Sequence, residues 1–257
     1  MLILLSPAKT LDFDPVDVSH TTQARFLDET DSLIDTLRTK KANDLMALMH
    51  VSEKIASLNV ERNHAYQRPL EPGETSKPAL LAFQGDVYKG LGAETYSDVD
   101  LLKAQEKIRI LSGLYGVLRP LDLIRPYRLE MGTALETSAG KNLYQFWGSK
   151  LTNLLNQELS QSDDDLVVNL ASNEYFKAVK KKELQGKLVT PAFKDWKNGK
   201  YKMISFFAKR ARGAMADYLV RNDIQSLEGL TKFQGLGYAF DSEGSTPDAP
   251  LFLRKAE

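Results

Sequence analysis

Two rhythms of apolar residues run along the chain. Some short segments are apolar or nearly so: "LILL" at 2–5, "ALLAF" at 79–83 and "LVVNL" at 166–170, where Asn169 is the one polar residue. Runs of this length, bounded by turn residues, predict strands buried on both faces. Longer segments repeat an apolar residue every three or four positions. "FLDETDSLIDTLR" carries Phe26, Leu27, Leu33, Ile34 and Leu37, and "NLYQFWGSKLTNLLNQEL" carries Leu143, Phe146, Leu151, Leu154 and Leu155. "ISFFAKRARGAMADYLVRN" holds the same period through Ile204, Phe207, Ala208, Ala211, Met215 and Leu219. These predict amphipathic helices, with Asn43, Ser52, Ser97 or Asp98, and Ser226 as caps of others. Asn198-Gly199 predicts a tight hairpin, and "GYAFDSEGSTPDAPLFLRK" predicts two strands around a loop. Helices and strands alternate irregularly, and no repeat or low-complexity linker interrupts them. The expectation is α+β: a single domain over 1–257 with a mixed sheet flanked by helices.

One stretch fits neither rhythm. "RILSGLYGVLRPLDLIRPYRLEMG" at 109–132 combines Gly113, Gly116, Pro120, Pro126, Tyr115, Tyr127 and the arginines Arg119, Arg125 and Arg128. A helix predicted over 102–110 and a second beginning at "PLDLI" would flank "LSGLYGVL". Two helices joined by a glycine bend form a phosphate-gripping device, in which bare amides and a helix N-terminus face the anion. The same glycines also suit a turn that enters a strand and packs tightly. Arginine forks match phosphate oxygens, and tyrosines stack on bases or bond phosphates. Glu130 is a possible internal partner for Arg128.

Charge sharpens the picture. Lys plus Arg is 34 and Asp plus Glu is 34, so the whole chain is neutral. Residues 177–212 nevertheless contain twelve cations, among them Lys180, Lys181, Lys182, Lys209 and Arg212, against Glu183 and Asp195 alone. A basic face directed at a polyanion is expected, although a solvated lysine run would look the same. There is no cysteine, which excludes disulfides, thiolate metal sites and a cysteine nucleophile. The apolar start at 2–5 is too short for a signal segment or a membrane span, so a cytoplasmic protein without membrane contact is expected.

Other chemistry is thinner. Ser6-x-x-Lys9 has the spacing of a serine–lysine hydrolase pair but lacks that motif's partners. Lys9 suits an anion ligand at a strand end better. Glu61-x-x-His64 and His50 with Glu53 imitate half of a di-iron helix motif, without the remaining ligands. No metal site and no cofactor are expected. Asp86, Glu130 and Glu174 are candidate acids or bases at strand ends, with Lys9 and Arg128 to hold an anion.

Several long motifs together resemble the YaaA family of bacterial peroxide-stress proteins: "LILLSPAKTLDF", "AFQGDVYKGL", "LSGLYGVLRPLDLIRPYRLEMG", "LYQFWG", "VVNLASNEYFKAV" and "ISFFAKRARGAMADYLV". The resemblance runs from Met1 to "GYAFD". It implies a cytoplasmic protein that limits damage by hydrogen peroxide and iron. It further implies an unusual α/β topology, a basic cleft, and a helix-hairpin-helix-like element, at about 99–125, that binds double-stranded DNA without sequence preference. Lys9, Arg119, Arg125, Arg128, Lys209 and Arg212 are the matching positions, and charge chemistry makes them phosphate ligands beside Gly113 and Gly116. On this reading the protein is a non-enzymatic DNA-binding stress protein whose effect on iron is indirect. The alternative is an enzyme acting on a small anionic or nucleotide substrate, or on damaged DNA, in the same cleft.

Overall fold

The computed structural model describes residues 1–73, 75–162 and 164–255. Its centre is a five-stranded mixed sheet in the spatial order Gly116–Leu118, Ile108–Ser112, Leu2–Leu5, Leu166–Asn169, Lys187–Val189. All neighbours are parallel except the first pair, which is an antiparallel hairpin. Ile3 lies between Ile108 and Val168, and every residue of Leu2–Leu5 is buried. Continuous apolarity was the correct sign of a strand covered on both faces. No helix is long and apolar enough to cross a membrane.

A second, four-stranded sheet runs Lys200–Lys202, Ala192–Lys197, Ala249–Arg254, Ala239–Thr246. The predicted tight hairpin is there, with Asn198 and Gly199 both at positive φ. The Ser205–Arg221 helix lies between two strands of this second sheet in the chain and packs on the Ala192–Lys197 strand and on the short Asp86–Leu91 helix. This second contact is unusually close. A Cβ at Gly213 would stand 1.8 Å from the Val87 carbonyl oxygen, and one at Gly90 would stand 2.1 Å from the Arg210 carbonyl oxygen. Only glycine allows backbones to meet at that range.

Three local expectations are corrected. "ALLAF" is not a strand: Ala79–Ala82 makes one helical turn, and only Phe83–Gln84 is extended. A short apolar run of alanine and leucine is ambiguous, and local helix preference prevails where no long strand pairs with it. The amphipathic segment after Asn142 breaks at Gly148 into Leu143–Trp147 and Lys150–Ser160. The helix-hairpin-helix-like element over 99–125 is absent. Asp98–Lys107 is helical, but the chain then enters Ile108–Ser112, turns, and returns as Gly116–Leu118. "PLDLI" forms no helix either: Leu123–Ile124 pairs antiparallel with Lys77–Pro78.

The return from this hairpin is tied down by a buried carboxylate. Asp122 is fully buried and accepts from the Arg119 amide at 2.8 Å, the Arg119 guanidinium at 2.9 Å and the Thr22 hydroxyl at 2.6 Å. Gln105 closes the knot by accepting from the Leu121 amide at 2.7 Å and donating to Thr22 Oγ1 at 3.1 Å. Removing the carboxylate strands several buried donors. Asp122→Ala is expected to destabilise the fold by about 3–5 kcal/mol, read as a shift of the urea unfolding midpoint.

Candidate functional site

In sheets with parallel strands, ligand sites gather where the chain leaves the carboxyl ends of the strands. Here those exits follow Leu5, Ser112 and Asn169. Ser6 Oγ accepts from the Ser172 amide at 2.8 Å, and the Tyr88 hydroxyl donates to the Ser6 carbonyl at 3.0 Å, so the first and fourth strand exits are joined. The next residues form a small crevice walled by Pro7, Ala8, Tyr127, Arg128 and Tyr175, with a free volume of only about 20 Å³. Lys9 Nζ lies 2.7 Å from Glu130 Oε2, and Arg128 Nη2 lies 3.1 Å from Glu130 Oε1. Both cations therefore converge on one carboxylate. Glu174 borders the same region and accepts from the Gly132 amide at 2.9 Å. Burial pushes the Tyr127, Tyr175 and Tyr88 hydroxyls well above the ordinary tyrosine range, so all three stay protonated.

The remaining predicted ligands go elsewhere. Leu118 pairs with Ile110 and Gly116 with Ser112, so Arg119, one residue beyond Leu118, lies toward the edge of the sheet opposite Lys9. Its guanidinium is committed to Asp122 and to the Gln23 carbonyl. Arg125 donates to the Ala65 carbonyl at 3.3 Å beside Tyr66, away from the crevice. Lys209 is exposed on the Ser205–Arg221 helix. Arg212, on the same helix, is partly buried, and the loss of solvent lowers its pKa from the usual arginine value. No carboxylate among the described residues pairs with it.

Gly113 and Gly116 do not face solvent. The turn from Gly113 to Gly116 is buried throughout. Ser112 Oγ accepts from the Leu114 and Tyr115 amides and shares a 2.6 Å hydrogen bond with the Tyr127 hydroxyl. The Trp147 indole donates to the Gly113 carbonyl at 3.0 Å. A Cβ at Gly113 would come within 2.3 Å of the Leu129 carbonyl oxygen. Gly116 has φ +71 and is pressed against Phe26 and Trp147. The amides that were to grip a phosphate are used inside the protein, and the glycines serve the tight turn.

The basic segment keeps its cations in water. Lys177, Lys180, Lys181, Lys182, Lys187, Lys197, Lys200, Lys209 and Arg210 are all exposed. Of the two acids among them, Asp195 is 5% exposed and occupied, accepting from Arg254 Nε at 2.6 Å and the Tyr238 hydroxyl at 2.8 Å. Only Glu183 opposes the cations at the surface. Sequence reasoning missed Arg254 and Lys255, which join this region because Ala249–Arg254 pairs beside Ala192–Lys197. No local motif in the carboxyl-terminal strand signals that partnership.

Comparison with known proteins places the chain among relatives of matching length. The model of the family described as peroxide stress protein YaaA matches residues 1–244. A UPF0246 protein of Shewanella sp. (strain W3-18-1) is 54% identical over 258 aligned positions, covering 100% of both chains. UPF0246 proteins of Shewanella halifaxensis (strain HAW-EB4) and Shewanella baltica (strain OS195) are 52% and 53% identical, covering 100% and 99% of each chain.

The buried turn makes a specific expectation. Gly116→Ala places a methyl at positive φ, 2.8 Å from the Phe26 ring and 2.9 Å from the Trp147 ring. It is expected to lower stability by about 1–3 kcal/mol, measured by thermal unfolding.

Proposed function

Because the chain belongs to the YaaA family of peroxide stress proteins, we propose that it acts in peroxide stress by binding DNA through the basic surface of residues 177–212. Occupying the phosphate backbone would shield it from hydroxyl radicals that iron generates from peroxide, and this needs no metal ligand of its own. The reading rests on one observation: within 177–212 nine cations are exposed against one exposed acid, Glu183, because Asp195 is buried under Arg254 and Tyr238, while Glu243 and Asp248 lie on the outer strand and turn of the same sheet. Lysines spread over a surface contact phosphates by charge alone, so binding ignores base sequence. The Lys9 and Arg128 crevice is the weaker candidate for a polyanion, since Glu130 holds both cations.

A second reading concerns that crevice alone. Arg128 Nε is buried and without a hydrogen-bond partner among the described residues, a donor that a small anion would satisfy. The crevice, with about 20 Å³ of free volume, would bind such a group only after Lys9 and Arg128 release Glu130 and swing apart, with Glu130 and Glu174 as acid or base beside it.

Each reading has its own test. Affinity for a short fluorescent duplex is expected to fall about 10³-fold or more between about 50 and 200 mM salt. Lys197→Glu/Lys200→Glu/Lys209→Glu is expected to weaken binding at low salt by about 10²-fold and flatten the salt slope. A folded triple variant with parent affinity would remove the basic surface from the function. For the crevice, calorimetric titration with inorganic phosphate is expected to give a Kd of about 1 mM or tighter, lost in Arg128→Ala. The absence of heat with the parent protein would end that reading.

A further inference from the structure

We propose that the four-stranded sheet carries a stacking platform for single-stranded nucleic acid, centred on Trp196 and Tyr201. The inference rests on the polyanion reading above and narrows the substrate of the same surface.

Alternate residues of a strand point to opposite faces. Phe193 and Asp195 are buried on the face toward Tyr238, Phe233 and Phe252. Trp196 therefore projects from the other face. Tyr201 is its direct partner across the hairpin, with ring centroids 5.0 Å apart at 69°. Lys255 follows Arg254 on the neighbouring strand and holds its ammonium 5.5 Å from the Trp196 ring centre. Around the edge strand, Met203 is 65% and Phe206 48% exposed, and the Arg210 guanidinium lies 5.7 Å from the Phe206 ring centre.

This concentration is not the ordinary scatter of apolar residues on a surface. Among the exposed aromatic side chains of the described residues, Trp196 and Tyr201 pack together on this face, whereas Phe240 packs toward Phe252 and Phe207 toward Arg254 on the face of Asp195. Leaving aromatic rings in water is unfavourable, so a contiguous group of them marks a binding surface.

Two features identify the partner. Lys194 and Lys255 share the face of the rings, Lys197 and Lys200 flank the turn of the same hairpin, and lysine is depleted in protein–protein interfaces. Lysines on the edge strand also discourage pairing with another strand. Cations alternating with exposed rings instead match a phosphodiester chain carrying planar bases. In a duplex the base faces are already stacked on each other, and only the lysines would find partners. In a single strand the bases are free to lie on Trp196 and Tyr201 while the phosphates reach Lys194 and Lys255.

Trp147 is fully buried, so surface-dependent changes in indole emission report on Trp196. The test is a fluorescence titration of the full chain with oligothymidylate and with a duplex of equal length at one salt concentration. Oligothymidylate is expected to quench Trp196 and to bind about tenfold or more tightly than the duplex. Trp196→Ala/Tyr201→Ala is expected to lose about 10–100-fold in affinity for the single strand, with duplex affinity and Tm near the parent values. Trp196→Phe, which keeps a stacking ring, is expected to retain most of the affinity. Equal or tighter duplex binding, binding without quenching, or an unaffected double variant overturns the platform and leaves the polyanion reading standing. Failure of both oligonucleotides to bind overturns both. Self-association that the double variant abolishes, with no quenching by oligothymidylate, assigns the face to a second copy of the chain and also overturns the platform.

Discussion

Where the Ser205–Arg221 helix crosses the Asp86–Leu91 helix, no side chain separates the two backbones. Gly90 meets the Arg210 carbonyl, and Gly213 meets Val87 and Leu91. The rest of the arrangement depends on this crossing. The shorter helix starts at Gly85, whose neighbour across space is Ala8 in the wall of the crevice. The longer helix leads away from the four-stranded sheet and carries Lys209 and Arg210 on its solvent side. One close contact thus fixes the helix that presents Lys209 and Arg210 against the helix that follows Gly85. A methyl group at either glycine would clash with backbone, which cannot move aside as a side chain can.

The distribution of charge follows a simple division. Four buried or half-buried cations hold carboxylates: Arg119 has Asp122, Arg109 has Glu158, Lys107 has Asp223 and Lys77 has Asp12, whereas half-buried Arg212 has none among the described residues. These pairs hold elements together and leave nothing for a ligand. The lysines of 177–212 sit instead on exposed turns, an edge strand and a helix surface, where water solvates them and an incoming polyanion competes only with salt. A count of cations along the chain cannot separate the two groups. Burial and partners do so, and they remove Arg119 from the proposed ligands while keeping Lys209.

Much of the architecture was legible as pattern. Leu2–Leu5 and Leu166–Asn169 are strands because nothing polar interrupts them, Asn198-Gly199 turns because both residues tolerate positive φ, and Ser205–Arg221 is a helix because its apolar residues recur at helical spacing. The stretch from Ile108 to Met131 was legible only as unusual. Glycine and proline announce a change of direction without saying whether solvent or core lies on its inner side. The answer came from Trp147, Tyr127 and Phe26, none of which adjoins Gly113 or Gly116 in the chain. The exposed aromatic residues were hidden for the opposite reason. Aromatic residues in a predicted hairpin ordinarily point inward, and only the strand pairing shows that Trp196 and Tyr201 point out.

The amino-acid order alone determined the longest extended and helical segments, that a basic block exists, and which family the long motifs resemble. Those properties depend on spacing and on residue identity, which are local. Only the tertiary structure decided which cations are free, where the glycine bend lies, and which rings meet water. Each of these depends on what a residue touches across tens or hundreds of positions, as Asp195 with Arg254 and Gly113 with Trp147 demonstrate. Side-chain packing and the pairing of buried charge select among contacts that no periodicity encodes.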